Sequence, residues 1–179
     1  MSRIVGERVT LREFREEDIS GMRAWRVNPE SIRCLGGTSL MPESWEETEN
    51  ILRRYLSGDA GGANWVIAEK ESLRYLGQVS LIMLDQLNRR AELTIVLAPE
   101  EMGKGYATEA IRLVLGFAFR SLNLNRVWLK VAENNARAIK CYLGCGFREE
   151  GRLRQELFLD GRYVDALVMG FLREEHMEA

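Results

Sequence analysis

The sequence has 179 residues, of which 46% are hydrophobic, and this size predicts one globular domain, residues 1–179, with a full apolar core. The formal net charge of -2 argues against a nucleic-acid surface, so we expect no nucleic-acid partner. No apolar run is long enough to cross a membrane, and we therefore also expect no membrane partner.

The amino-terminal part predicts one strand followed by two helices. Residues 8–14 alternate in polarity as a strand does. Asp18 is placed to cap a helix with Ile19, Met22 and Trp25 on one face, and "NPES" ends that helix. The loop "CLGGTSLMP" then leads into a second helix over residues 43–56.

The rest of the chain predicts a three-stranded meander and then alternating helices and strands. Strands are expected over residues 64–70, 78–84 and 91–98, with a hairpin between the last two. The following elements are a helix at 106–122, a strand at 125–131, a helix at 134–146, and strands at 147–159 and 162–172 joined by "DG". Strand and helix alternate only in the middle, which predicts a mixed α/β (α+β) domain rather than a doubly wound one.

Three cysteines and one histidine limit the chemistry. The odd cysteine count and the lack of a signal peptide predict reduced thiols and a cytoplasmic location. Cys141 and Cys145, one helical turn apart, are interpreted as small core residues; with Cys34 they form no zinc pattern, so no metal is expected. His176 lies in the tail, where chains usually fray, which argues against a histidine base.

The stretch "MGKGYATEA", residues 102–110, places glycines in a strand-to-helix turn. Glycine lacks Cβ and lets the backbone approach a ligand closely. The first amides of the next helix have no internal partners, and with the helix dipole they favour an anion. The turn therefore predicts a phosphate site made by the backbone, with Lys104 either adding charge or lying in solvent.

Two nucleotide motifs compete for this turn. The P-loop pattern GxxxxGK[ST] is absent. The dinucleotide pattern GxGxxG is met at Gly103 and Gly105 but has Thr108 at its third position. The strand before the turn belongs to a meander, whereas dinucleotide folds need successive parallel strands, so NAD is disfavoured.

Two separated motifs resemble those of the GNAT acetyltransferases. "MGKGYA" resembles the family's Q/R-x-x-G-x-G/A signature, which binds the pyrophosphate of acetyl-CoA, with Met102 in place of the usual Gln or Arg. "NNARAIKCYLGCGF" resembles the N-x-x-A-I-x-x-Y-x-x-x-GF segment. "GERVTLREFREEDI" is similar to the opening strand and helix. The closing hairpin from Leu153 to Glu175 is similar to that of RimJ/RimL ribosomal-protein and spermidine acetyltransferases.

The resemblance implies the GNAT fold. In that fold a single domain holds a mostly antiparallel sheet of about six or seven strands, splayed between strands 4 and 5 and flanked by about four helices. It also implies acetyl-CoA as cosubstrate, bound partly by backbone groups of the fourth strand, and it allows a homodimer. The residues assigned to the cofactor on this basis are Ile95, Val96, Leu97, Met102, Gly103, Lys104, Gly105, Tyr106, Ala107, Thr108, Asn134, Asn135, Ala138 and Tyr142.

Acetyl transfer to an amine needs a base, an oxyanion donor and an acid. With no histidine available, Glu92 is the candidate base, on one strand face with Thr94 and Val96; the alternative is a solvated residue. The resemblance assigns the oxyanion to a backbone amide at 95–97 and the acid to Tyr142, whose alternative is simple packing. Asn135 is expected to bind the CoA arm or to cap its helix, and Asn134 could cap instead.

The acceptor is expected to be a primary amine that attacks directly, in a protein or peptide N-terminus or a small molecule. A lysine-like amine costs roughly 4 to 5 kcal/mol to neutralise at pH 7, whereas a peptide α-amine costs about 1. A polyamine also needs carboxylates for its distal cations, and "CLGGTSLM" has none. Glu43, Glu46 and Glu47 are interpreted as favouring a helix start. A spermidine acetyltransferase is the alternative, and a non-catalytic acetyl-CoA-binding module is a remote one.

Overall fold

One sheet of eight strands carries the whole fold. The structure is a computed structural model that describes residues 3–34 and 42–177. Its sheet has the order β1-β2-β3-β4-β5-β6-β8-β7. The strands are β1 (Ile4–Val5), β2 (Val9–Arg12), β3 (Ala63–Glu69), β4 (Tyr75–Asp85), β5 (Arg90–Leu97), β6 (Arg126–Ala132), β7 (Arg148–Leu159) and β8 (Arg162–Leu172).

Helices cover both faces of this sheet. The α-helices are α1 (Ile19–Arg26), α2 (Pro29–Cys34), α3 (Trp45–Ser57), α4 (Tyr106–Arg120), α5 (Ala136–Gly144) and α6 (Arg173–Met177), and two short 3-10 turns occupy Glu16–Asp18 and Pro99–Glu101. The mixed, mostly antiparallel architecture predicted from the sequence is confirmed. The described chain has more elements than predicted because β1, α2 and α6 are too short to give a periodic signal. None of the helices in the described ranges has the length and apolarity needed to cross a membrane.

One expectation for the region around α1 is confirmed and one is wrong. Helix α1 ends at Arg26, just before "NPES", as expected. A further helix, α2, then begins at Pro29, and Asn28 accepts a hydrogen bond from the Ser31 amide at 3.0 Å. Proline suits a first helical position, where no amide donor is needed. Asp18 does not cap α1 with its side chain. Its carboxylate instead accepts two hydrogen bonds from the buried guanidinium of Arg12. The predicted loop at residues 34–42 lies mostly outside the described residues.

Local sequence explains where α3 begins and ends. Ser44 accepts a hydrogen bond from the Glu47 amide, and the Glu47 carboxylate accepts one from the Ser44 amide, which is a capping box. At the other end, Gly58 adopts a left-handed φ of 83°, which suits a residue without Cβ. The tail also differs from expectation, because His176 belongs to α6 and its ring lies 5.3 Å from that of Phe119.

The two faces of the sheet have separate cores. The larger core joins α4 and α5 to inward residues of the strands, including Ala91, Leu93 and Leu97 of β5. The smaller core joins α1 and α3 to Val66 and Ala68 of β3. The two faces are called below the α4–α5 face and the α1–α3 face.

The sheet is splayed between β5 and β6, as predicted for strands 4 and 5. These strands pair in parallel only from Arg90 and Arg126 to Glu92 and Trp128. Beyond that point β5 stays paired with β4 as far as Leu97, whereas β6 pairs with β8. The edge of β5 from Leu93 to Leu97 therefore faces a gap in the sheet.

Candidate active site

A cleft of about 390 Å³ lies at this gap. Its walls come from α2, the end of β5, the glycine turn, α4 and α5. The lining residues are Ser31, Ile95, Val96, Leu97, Met102, Gly103, Gly105, Ala107, Thr108, Ile111, Asn135, Arg137, Ala138, Lys140, Cys141, Tyr142 and Gly144. Most of the residues assigned to the cofactor from the sequence therefore meet around one cavity.

The β5 edge offers backbone hydrogen bonds to this cleft. The Ala98 amide donates to the Leu76 carbonyl, so the backbone groups of even-numbered residues point towards β4. By the alternation of a strand, Ile95 and Leu97 direct their amide and carbonyl groups to the opposite, open edge. An extended ligand with amides of its own could pair with this edge as an added strand would. Val96 also lines the cleft, although its own backbone groups face β4.

The glycine turn has the backbone geometry expected of an anion site. Gly103 and Gly105 have φ angles of 76° and 88°, a region that side chains with Cβ rarely adopt. Gly105 stands at the N-cap of α4, and no side chain caps this helix end. The amides of residues 106–108 have no acceptor within the helix and carry its positive dipole end. These donors remain for a ligand in the cleft.

Two side chains of this turn lie away from the cleft wall. The Lys104 ammonium pairs with the buried carboxylate of Glu101 at 3.0 Å. The Tyr106 ring lies under the Arg8 guanidinium, 4.6 Å from its centroid. Arg8 also donates to the Lys104 carbonyl at 3.0 Å. These two side chains brace the turn, so any contact of residues 104 and 106 with a cofactor would come from their backbone.

Helix α5 begins and ends with residues of the second motif. Asn135 caps the helix by accepting a hydrogen bond from the Ala138 amide at 3.1 Å, and it also lines the cleft. Both interpretations of Asn135 therefore fit the geometry, whereas Asn134 does not take the capping position. Tyr142 lines the cleft half-buried, with its ring edge-on to Phe147 at 5.9 Å.

A cation from α5 lies where the signature departs from the family pattern. The Arg137 guanidinium is 2.9 Å from the Met102 sulfur and 3.8 Å from the Glu30 carboxylate. A positive charge thus stands beside position 102, although Met102 itself is neutral. Arg137 was not predicted from the sequence, because it occupies a position of the N-x-x-A segment at which the motif allows any residue. Only the fold brings it to Met102.

Helix α2 adds a polar group that the sequence analysis also missed. Ser31 has no exposed surface, and its hydroxyl has no hydrogen-bond partner in the part of the chain that the structure describes. An unsatisfied buried hydroxyl costs about 1–3 kcal/mol, so it is a group that a ligand atom or a water can stabilise. No sequence signal could have found it, since "NPES" was assigned to a helix end.

Glu92 lies on the other face of the sheet. Gln78, opposite Val96, donates to the hydroxyl of Tyr55 in α3, so even-numbered β5 side chains face α1 and α3. Glu92 therefore lies on the α1–α3 face, where β5 and β6 still pair, and it does not line the cleft. Burial raises the pKa of this half-buried carboxyl, and the Lys130 charge partly opposes that shift.

The carboxylate of Glu43, before α3, is already neutralised by protein cations. The Arg26 guanidinium donates to it at 2.6–2.9 Å, the Thr48 hydroxyl donates at 2.6 Å, and Arg23 lies 3.8 Å away. Burial would raise the pKa of Glu43, but these donors outweigh burial and lower it. The Glu47 carboxylate is used in the capping box. The acid-free stretch at residues 34–41 lies outside the described residues apart from Cys34.

A splayed sheet, an open strand edge and an amide-lined turn define a coenzyme-binding acyltransferase. Residues 8–148 match the family model described as "Acetyltransferase (GNAT) domain". The chain is 36% identical over 135 residues to the spermidine N(1)-acetyltransferase of Vibrio cholerae, covering 75% of this chain and 77% of that relative. It is 38% identical over 99 residues to a putative ribosomal N-acetyltransferase, YdaF, of Bacillus subtilis, covering 55% and 54%.

A solved structure gives the same result for the fold. Spermidine N-acetyltransferase from Vibrio cholerae in complex with CoA and spermine matches 96% of this chain and 99% of its own, with a TM-score of 0.86 and 31% identity. The chain belongs to the GNAT acetyltransferase family. It is an N-acetyltransferase that uses acetyl-CoA.

Proposed function

We propose that a primary amine reaches the bound acetyl thioester through the gap between β5 and β6 and attacks it directly. The observation that carries this proposal is the splay itself, which joins the α1–α3 face to the α4–α5 face. The amine nitrogen forms a bond to the acetyl carbon, the carbon–sulfur bond breaks, and the thiolate leaves on the α5 side. Tyr142 lines that side and gives the thiolate its proton.

The cofactor lies along the cleft in this proposal. Its diphosphate takes the amides of residues 103–108, with the Arg137 cation nearby, and its pantetheine arm pairs with Ile95 and Leu97. An amide on this edge also serves the oxyanion. Asn135 and Ala138 contact the arm from α5. The Ser31 hydroxyl contacts the cofactor from α2 and so gains a hydrogen-bond partner.

The acceptor is a single amine in a peptide or protein N-terminus or in a small molecule, as in RimJ/RimL-like enzymes. A polyamine needs carboxylates for its distal cations, whereas the Glu43 and Glu47 carboxylates already have protein partners. Glu92, in the last residue pair between β5 and β6, then offers one carboxylate at the edge of the gap, and one carboxylate suits one amine. The named ribosomal relative supports a protein acceptor. The enzyme is proposed to act in the cytoplasm, as a monomer or a homodimer.

A spermidine acetyltransferase is the second candidate. It is favoured by the similarity to the spermidine N(1)-acetyltransferase of Vibrio cholerae. It is also favoured by the similarity to the solved structure of spermidine N-acetyltransferase from Vibrio cholerae with CoA and spermine. This candidate requires a cation site formed in part by residues other than Glu43 and Glu47.

Thiol release from acetyl-CoA tests the acceptor. We expect release to depend on a short peptide with a free N-terminus, and not on spermidine. The matched control is the same peptide with its N-terminus already acetylated, which should give only the background rate. A clear spermidine-dependent rate would replace the single-amine proposal by the polyamine one. Binding of CoA with no turnover on any amine would instead support a non-catalytic module.

Replacing Glu92 by Gln tests the base. We expect a loss of less than about tenfold at neutral pH, because water can also carry the proton of a weakly basic amine. A base must be deprotonated, so the wild-type rate should rise with pH through the raised pKa of Glu92, above the ordinary glutamate range. Glu92→Gln should remove this acidic limb from the pH profile of kcat/KM and leave only the limb of the acceptor α-amine, near about pH 8.

The control for this prediction is Glu156→Gln. The Glu156 carboxylate pairs with the same Lys130 at 3.0 Å but lies on the exposed outer strand β7. This variant should keep the acidic limb. Because burial penalises the charged carboxylate, Glu92→Gln should also raise the melting temperature at neutral pH. An unchanged pH profile in Glu92→Gln would remove the base role.

A further inference from the structure

A pair of thiols, one in the cleft wall and one buried behind it, has no part in the proposed acetyl transfer. Cys141 on α5 is half-buried and lines the cleft, and its sulfur is 3.4 Å from the Thr108 hydroxyl. Cys145 lies one turn later and is buried. Its sulfur is also 3.8 Å from the Thr108 carbonyl. The interpretation as core residues therefore holds for Cys145, whereas Cys141 faces the ligand space.

The surroundings of the Cys141 sulfur favour a thiolate. Thr108 is in the first turn of α4, so the positive end of that helix lies close to the sulfur. Arg112, one turn further along α4, reaches the same region and donates to the Gly144 carbonyl at 3.2 Å. The neighbouring Cys145 thiol and Thr108 hydroxyl, together with the Arg112 charge, lower the pKa of Cys141 although burial opposes them. The neighbouring Cys141 and burial both raise the pKa of Cys145.

We propose that Cys141 is a modification site for soft electrophiles and peroxides, and that its modification and acetyl-CoA binding exclude each other. With an alkyl halide, the sulfur forms a bond to carbon and the halide leaves. With a peroxide, the sulfur attacks one oxygen, the O–O bond breaks, and hydroxide leaves. The sulfur is then oxidised to a sulfenic acid and the peroxide is reduced.

Mutual exclusion follows from shared space and shared charge. Cys141, Thr108 and Gly105 line one cavity, so a group added to the sulfur occupies room beside the amide-lined turn. A phosphate at the start of α4 would bring negative charge next to the sulfur and disfavour the thiolate. This step rests on the proposed position of the cofactor diphosphate, whereas the reactivity of the thiol does not.

Alkylation of the full chain by iodoacetamide at mildly acidic pH, followed by peptide mass mapping, tests the proposal. Cys141 should be labelled first, and peptide mapping distinguishes it from Cys34 and Cys145. CoA at about ten times its Kd should slow this labelling about tenfold, because only the free protein reacts. Labelling should in turn abolish CoA binding in calorimetry. After hydrogen peroxide, a dimedone adduct should form at the same residue.

Two variants separate reactivity from burial. Cys141→Ser should remove the fast labelling and leave Cys145 unlabelled. Cys145→Ala should slow the labelling of Cys141, because it removes the neighbouring thiol while leaving the site open. Equal labelling of Cys141 and Cys145, or full labelling of Cys141 with CoA bound, would overturn the proposal. The readouts are mass spectrometry of labelled peptides and calorimetry of CoA binding, so they do not depend on whether any acceptor supports turnover.

Discussion

Replacing Tyr142 by Phe is expected to lower the turnover number for acetyl transfer at least about tenfold, which is about 1.4 kcal/mol in activation free energy. The variant lacks the hydroxyl that is proposed to give a proton to the departing thiolate. It keeps the ring, which packs edge-on against Phe147. The Kd of acetyl-CoA should therefore remain nearly unchanged. Steady-state kinetics with the best acceptor and calorimetry with CoA would measure the two quantities separately.

Tyr163→Phe provides the matched control. It removes the same hydroxyl from an exposed ring on β8 that contacts Phe158 at 5.1 Å. Turnover should not change in this variant. An unaltered rate in Tyr142→Phe would assign the tyrosine to packing, and a large loss of CoA affinity would assign it to cofactor binding.

Removing the buried carboxylate of Asp18 should produce the largest loss of stability. Arg12 donates to both Asp18 oxygens at 2.7 and 2.8 Å, and both side chains are 1% exposed. Asp18→Ala leaves this guanidinium buried without its counter-charge. Loss of one partner from such a pair costs about 3–5 kcal/mol. In a chain of this size the melting temperature should fall by roughly 10 °C, measured by thermal unfolding.

The exposed pair of Arg53 and Glu49 on α3 is the control. These side chains are 3.4 Å apart on the surface, and such pairs contribute about 0.3–0.5 kcal/mol. Glu49→Ala should therefore barely change the melting temperature. The double variant Arg12→Met/Asp18→Leu should recover part of the loss, because no charge is left buried. A loss no larger than that of Glu49→Ala would contradict the prediction.

The sequence predicted the parts of the cleft that depend on the backbone. Gly103 and Gly105 signal left-handed turn geometry directly, because only a residue without Cβ adopts it readily. The spacing of Asn135 and Tyr142 predicts where α5 begins and that both residues lie on one face of it. In the structure both residues line the cleft. The antiparallel meander and the final hairpin follow from alternation and from "DG".

Contacts between distant segments could not be predicted in this way. Arg12 was part of a predicted strand and Asp18 was predicted to cap a helix, and only folding buries them together. Glu43 was interpreted as favouring a helix start, and only the position of α1 brings Arg26 to it. Arg137 meets Met102 across the cleft, and no local pattern encodes that pairing. Each of these depends on tertiary placement of long side chains, which periodicity does not report.

Because the pairing between β5 and β6 is short, a cofactor bound along β5 would also stabilise the fold. Within the described strands, β1–β5 and β6–β8 meet as two half-sheets through the pairs that end at Glu92 and Trp128. A ligand paired along residues 93–97 would act as the missing strand and would bind the folded form alone. Such binding stabilises the folded form by mass action and suppresses local opening. Protease resistance and slow amide exchange at this edge would then increase with the concentration of acetyl-CoA.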